Sequence, residues 1–556
     1  MKNAWPIHPF GSAYFLSADE LHIIVLSQNP SLYLLCNFNL NWLISHSRLS
    51  SSIINTKMKK INSLFCLLLI LSFSAKAQQD LSYYIQHAPF AMPEIKKPVF
   101  PSVVFSIKDY GAVADGKTLN TEAFKKAIEA CSAAGGGTVE IPAGVWLTGP
   151  IQLKSHVNLH ASRGALVQFS NDHTLYPVFK PSGSNSFRVM SPIYGENLEN
   201  IALTGEGVFD GAGESWRPVK KSKVSPALWS KFTQTGVVST DGKIWWPNAD
   251  AMNGESYVNE LKKNPDATAD DYAKARDFLR PYMFMLSKCK NIWIDSVGIK
   301  NSPNFVFYPT RCTDLLITNA IIFNEAWAQN GDGIDISACK NVIIYKTMVN
   351  AGDDGICMKS SSGKDSTVAE LKNVLIAGCT VLQAHGGFVI GSNTDGGMQN
   401  IYVADCIFKG TDIGIRVKSN KGRGGNVRDI YIDNIRMDNI VKEAILFTTY
   451  YDDKPAGKTS PDKKETPADK IPNFNNFHIS NILCTGAETA ISITGLPEQP
   501  AHDLYFENIE IKSQSGLEAT DASRLFFKNV KINEKDPSCK CTRTSYVVVD
   551  DKKIVD

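Results

Sequence analysis

Three things are scarce in this chain. Charge of one sign is the first. Against 58 Lys and Arg stand 56 Asp and Glu, a formal net charge of +2, which leaves no field to draw the protein onto nucleic acid. Long apolar runs are the second. Residues 64–73 form an apolar stretch too short to span a bilayer comfortably, and no later segment is long enough. Helical periodicity is the third, because from Asn200 onward apolar residues alternate and do not recur at three and four. Together these absences give no pull toward nucleic acid and exclude a membrane-spanning helix and a helical bundle.

What is present is a repeat. Asn or Asp followed by alternating apolar residues recurs as Asn200-Ile-Ala-Leu, Asn291-Ile-Trp-Ile, Asp314-Leu-Leu-Ile, Asn341-Val-Ile-Ile and Asn373-Val-Leu-Ile. It continues as Asn400-Ile-Tyr-Val, Asp429-Ile-Tyr-Ile, Asn476-Phe-His-Ile and Asp503-Leu-Tyr-Phe. Starts mostly separated by roughly 23 to 32 residues lie in the range of solenoids. Each unit reads as short strands rich in β-branched residues, too small to bury its own core. The expectation is an all-β, right-handed, single-stranded parallel β-helix, its coils stacked about 4.8 Å apart. Of 12 cysteines, Cys289, Cys312 and Cys339 precede the repeat's Asn or Asp by two, and Cys379 and Cys406 follow it by six. Equivalent positions stack, so these predict a buried ladder of small hydrophobes and no metal site. Cys539 and Cys541 are too close to pair comfortably with each other.

The ends read differently. Met58-Lys-Lys, the apolar residues 64–73 and Ala75-Lys-Ala77 predict a secretory signal peptide over residues 58–77. Residues 1–57 then read as an over-extended, disordered start; a genuine N-terminal extension is the other reading. Export to the periplasm or the exterior follows. Residues 78–102 predict a linker or strap, residues 103–545 a single β-helix domain and residues 546–556 a tail. A helix over residues 120–134, with Phe124, Ala127, Ile128 and Cys131 on one face and Gly135-Gly-Gly137 ending it, would cap the solenoid. Two insertions are expected. Residues 213–280 carry Trp216, Trp229, Trp245 and Trp246 and a helix near 270–279; the tryptophans could stack on sugars or pack a small lobe. Residues 452–472 predict a polar surface loop.

The chemistry concentrates in four motifs: Asn330-Gly-Asp332-Gly-Ile-Asp335, Gly352-Asp353-Asp354-Gly355, His385-Gly-Gly and Arg416-Val-Lys418. Asp332 and Asp353 are one coil apart, so stacking gathers three carboxyls on one wall. An inverting glycosidase needs a protonated carboxyl and an opposed carboxylate roughly 6.5–9.5 Å apart, which one coil step plus a lateral offset can supply. A third carboxyl raises the pKa of one member. Arg416 and Lys418 alternate along a strand and point the same way, a cationic pair suited to a sugar carboxylate, or else ordinary solvated charges. Lys421 and Arg423 extend the positive potential. Alternation sends Asp335 away from Asp332, predicting a structural turn or strand-edge residue.

In order and spacing these motifs resemble those of the polygalacturonases of glycoside hydrolase family 28: Asn-Thr-Asp, Asp-Asp, His-Gly and Arg-Ile-Lys. The likeness spans residues 105–533, with its specific part in 330–418. It implies the parallel β-helix and hydrolysis of α-1,4-galacturonosyl linkages in pectin with inversion and without a metal or other cofactor. It also implies Asp353 as general acid, Asp332 and Asp354 as the pair that holds and deprotonates water, and His385 beside the acid. Asn330, Arg416, Lys418 and Tyr450 would contact substrate, with Tyr451 an equally legal choice. Gly331 departs from the family's Thr, removing a hydroxyl and loosening the backbone, which leaves a rhamnogalacturonan hydrolase open. The large insertion, if it blocks one end of the groove, favours exo action. The partner implied is a pectic galacturonan bound by a monomer. Two rivals remain: a calcium-dependent pectate lyase, and a non-catalytic β-helix that binds polysaccharide.

Overall fold

The computed structural model describes residues 79–555 apart from 182–183, 185, 362–369 and 452–466, and within residues 1–78 only three short strands. Those strands, Phe15–Ala18, Leu21–Leu26 and Tyr33–Cys36, pair antiparallel within the stretch expected to be structureless. The signal-peptide segment 58–77 lies outside the described residues.

From residue 79 the chain winds into a right-handed parallel β-helix with three sheet faces. The first includes Phe284–Ser287, Phe307–Thr310, Ile334–Ser337, Asp354–Ser360, Gly386–Thr394 and Ile413–Lys418. Each of these strands pairs in parallel with the next one along the chain. The repeat's Asn or Asp has a specific cause. Asn200, Asn291, Asp314, Asn341, Asn373, Asn400, Asp429, Asn476 and Asp503 all hold φ between 53° and 60°. That left-handed conformation is one that Asn and Asp tolerate better than other residues with a side chain. Their side chains also bond from coil to coil, Asn373 Nδ2 to Asn341 Oδ1 at 3.1 Å and Asn400 Nδ2 to Asn373 Oδ1 at 3.0 Å. Register follows from this ladder. It stacks Phe307, Ile334, Ile356, Phe388, Ile415 and Ile445 in one column inside the coil, all buried.

The helix Thr121–Ala133 closes the N-terminal end with Phe124, Ala127, Ile128 and Cys131 buried. Gly135, Gly136 and Gly137 follow it at positive φ. Residues 79–97 form a strap across the outer side of the sheet face that includes Thr313–Thr318, Lys340–Tyr345, Leu371–Ala377 and Met398–Ala404. There Tyr84 donates to Asp405 Oδ2 at 2.5 Å, and Lys97 Nζ lies 4.2 Å from the Trp293 ring centre. Among the described residues eight cysteines are buried and free, and Cys539 and Cys541 are exposed.

The insertion is more helical than its sequence predicts. It contains Pro226–Phe232, Ala249–Leu261, Ala269–Ala273 and Arg276–Leu279, so the helix expected near 270–279 is two short ones. Trp216 and Trp245 are buried in packing, Trp216 stacked on His173 at 3.4 Å, and neither can stack on a sugar. Arg217, fully buried, ties the lobe to the coils through Ser302 O (2.5 Å), Asn301 Oδ1 (3.1 Å) and Glu325 Oε2 (3.3 Å). Of the second insertion, residues 452–466 lie outside the described residues.

Candidate active site

The turns that enter the first sheet carry the acids. Asp332 precedes the strand Ile334–Ser337, and Asp353 and Asp354 enter the next strand one coil on. Ladder hydrogen bonds fix their backbones: Val306 N–H to Asp332 O at 2.8 Å, Gly333 N–H to Asp354 O at 2.9 Å and His385 N–H to Asp353 O at 2.7 Å. The result is one cluster, in which oxygens of Asp332, Asp353 and Asp354 all lie within 4.8 Å of one another.

Cations sort the protons. Burial pushes the Asp354 carboxyl up, but Lys418 Nζ at 2.7 Å, Arg416 Nη1 at 3.1 Å and the field of Lys359 together hold it below the usual carboxylate range. Asp332 goes the other way. Burial, then the charges of Asp335 and Asp353, raise it well above its ordinary value, and Lys359 Nζ at 3.8 Å offsets only part of this. Its Oδ1 is buried and has no hydrogen-bond partner among the described residues. The two aspartates that the family likeness joins as a water-holding pair are therefore unequal: Asp354 is the ionised one. Asp353 is the most exposed of the three, with 17% of its side chain accessible, and its Oδ1 meets His385 Nδ1 at 2.9 Å.

Three expectations change. Asp335 is neither a turn nor a strand-edge residue, since it sits within the strand on the outer wall, fully buried, paired with Lys359 at 2.7 Å. Burial raises its carboxyl to about 6 despite that lysine. Alternation misled here because Asp332 lies in the preceding turn, where the two-residue period does not hold. Lys418 is buried and spent on Asp354, so it is not an open cation for a sugar carboxylate; Arg416 keeps 15% of its side chain exposed. Lys421 is paired with Glu498, and Arg423 donates to Ser392 Oγ at 2.9 Å, so neither presents an unengaged charge.

The remaining predicted residues are divided. Asn330 adjoins the cluster, but its Oδ1 accepts from Arg280 Nη2 at 2.9 Å. Tyr451, 40% exposed, places its ring over Lys418 (4.5 Å) and Arg416 (5.6 Å). Tyr450 donates its backbone N–H to Thr448 Oγ1 at 3.2 Å, and its phenol is felt by Arg543. Sequence reasoning missed Lys359, Lys223 and Arg280. Lys359 was within reach, since it stands two residues beyond Cys357 on a strand whose alternate positions face the Arg416 wall. Lys223 and Arg280 gave no signal, because both come from the insertion.

A stack of parallel coils with one ionised carboxylate, a second carboxyl pushed up and a third half-open on a histidine is the equipment of an acid–base hydrolase of glycosidic bonds. The chain belongs to the glycosyl hydrolases family 28, whose sequence profile matches residues 229–539. Residues 104–164 match a second profile, rhamnogalacturonase A/epimerase, pectate lyase-like. Similar proteins include an exo-poly-alpha-D-galacturonosidase of Dickeya chrysanthemi, 28% identical over 444 residues that cover 77% of this chain and 70% of that one. An endo-polygalacturonase of Pectobacterium carotovorum subsp. carotovorum is 27% identical over 429 residues, 76% of this chain and 90% of its own length. The fold matches that of an exopolygalacturonase from Thermotoga maritima, with a TM-score of 0.64 and 24% identity over 83% of this chain and 94% of the other. The protein is thus a glycoside hydrolase.

Proposed function

We propose that this enzyme is an exported polygalacturonase that cleaves α-1,4-galacturonosyl linkages and works from a chain end. The observation that carries the reading is the split of the acid cluster, with Asp354 pinned as carboxylate by Lys418 and Arg416 beside the half-open Asp353–His385 pair. In the proposed reaction Asp353 protonates the leaving glycosidic oxygen. Asp354 takes a proton from the attacking water, and Asp332 helps to hold that water. Arg416 and the Tyr451 ring face the sugar, the guanidinium suited to a uronate carboxylate. Support for exo action comes from the insertion, whose Lys223 and Arg280 reach the cluster, at His385 and at Asn330. The Dickeya chrysanthemi and Pectobacterium carotovorum relatives carry pectic activities in their names, one exo and one endo.

The stereochemical course proposed is inversion, as the family likeness implies. Proton NMR of the first-formed product decides: β-anomer means inversion of the α-linkage, α-anomer means retention. Product analysis on homogalacturonan and rhamnogalacturonan side by side tests the substrate. Galacturonate monomer appearing first from homogalacturonan is expected. Sugar released only from rhamnogalacturonan, or an unsaturated product absorbing in the ultraviolet, would overturn the proposal. Asp353→Asn should lower kcat at least about a hundredfold while polymer binding survives.

A further inference from the structure

The insertion sends one side chain into the catalytic cluster. Lys223, at the end of the short turn Lys221–Lys223, places Nζ 2.9 Å from Gly352 O and 3.0 Å from His385 Nε2. On the far side of the same ring, Nδ1 is 2.9 Å from Asp353 Oδ1. An ammonium has hydrogens to give and no lone pair to receive one. A charged Lys223 therefore donates to Nε2, which leaves Nε2 without a proton and puts the imidazole hydrogen on Nδ1. That hydrogen points at Asp353. The same ammonium holds the carbonyl immediately before Asp353, at a glycine packed so closely that a Cβ would stand 2.2 Å from Ala328 O.

We infer that Lys223 is a positioning residue for the general acid: it fixes His385 as the neutral Nδ1–H tautomer. His385 then donates to one oxygen of Asp353 and leaves the other to carry the proton that is transferred. The inference rests on the proposed role of Asp353 and extends it to a lobe outside the coils, so that the lobe's docking completes the acid. The surroundings are consistent. Burial lowers the Lys223 pKa, and the charge of Asp353 is the largest influence opposing that. The other charges facing Lys223 are Lys220, Asp412 and Asp332, while Arg416 packs against Gly386 beside the ring.

The test uses the full chain labelled with 15N-histidine, with His385 assigned by its loss in His385→Gln. Wild type should show the Nδ1–H pattern. In Lys223→Met the ring should lose that single tautomer. On polygalacturonate kcat should fall about tenfold with KM within about twofold, part of what a positioned acid contributes, and Lys223→Arg should recover most of the loss. Should Lys223→Met fold poorly, Lys223→Gln removes the obligate donor, because an amide can give or accept a hydrogen, and the single tautomer should be lost likewise. An unchanged tautomer in Lys223→Met would overturn the inference, as would a rise in KM with kcat intact, which would make the lysine a direct substrate ligand. If wild type releases nothing from polygalacturonate, the substrate reading fails while the NMR arms still judge the tautomer.

Discussion

Asp332 and Asp354 are alike in sequence and unlike in situation. Each is buried, and desolvation alone would keep both protonated. Lys418 and Arg416 reverse that for Asp354 only. Removing one of those cations therefore has a defined sign. Lys418→Met takes away the largest force holding Asp354 down, so its pKa rises and the carboxylate is lost at a higher pH than in wild type. The acid limb of the kcat/KM profile should move up by about one unit. A limb that stays in place would show that Asp354 is not the base. At this scale four motifs were readable in the chain, because a 21-residue offset equals one coil and needs no further geometry. Lys359 was readable in principle from strand alternation. Lys223 was not, since no periodic rule connects an inserted lobe to the wall it meets.

At the scale of elements, the left-handed Asn ladder explains why the repeat is visible at all: the turn demands a residue that tolerates positive φ, and that residue marks each coil. The turn before Asp332 shows the opposite case. Gly331 was expected to loosen the backbone, yet the segment 325–331 folds back onto it. A Cβ at Gly331 would stand 2.8 Å from both Ala328 Cβ and Asn324 Nδ2. Glu325 in that segment binds the buried Arg217 of the insertion, and Phe232 packs edge-on against Trp327 at 5.2 Å. The glycine serves close packing beneath the lobe. Gly331→Thr, which restores the family's residue, should cost about 1–3 kcal/mol through overpacking, read as a lower Tm. A Tm equal to wild type would mean the segment yields freely and the packing argument is wrong.

Over the whole molecule, the buried acids make stability depend on pH in two opposed ways. Asp354 is depressed on folding, so its contribution is present above the unfolded carboxylate value of about 3.9 and is lost as pH falls through its lower folded value. Asp335 is raised to about 6, so its contribution is complete below about 3.9 and is lost as pH rises through about 6. Tm should peak between these limits, and Asp335→Asn should flatten the decline on the alkaline side. A Tm still climbing beyond pH 7 in wild type would contradict this. The sequence by itself determined the solenoid, its cap and which acids share a wall, because stacking turns a period along the chain into neighbours in space. Only the tertiary structure decided which of those acids is ionised, that Lys418 is spent on Asp354, and that a distant lobe supplies Lys223. Charge balance inside a dry cluster depends on every group within a few ångströms, and those groups come from parts of the chain that obey no common period.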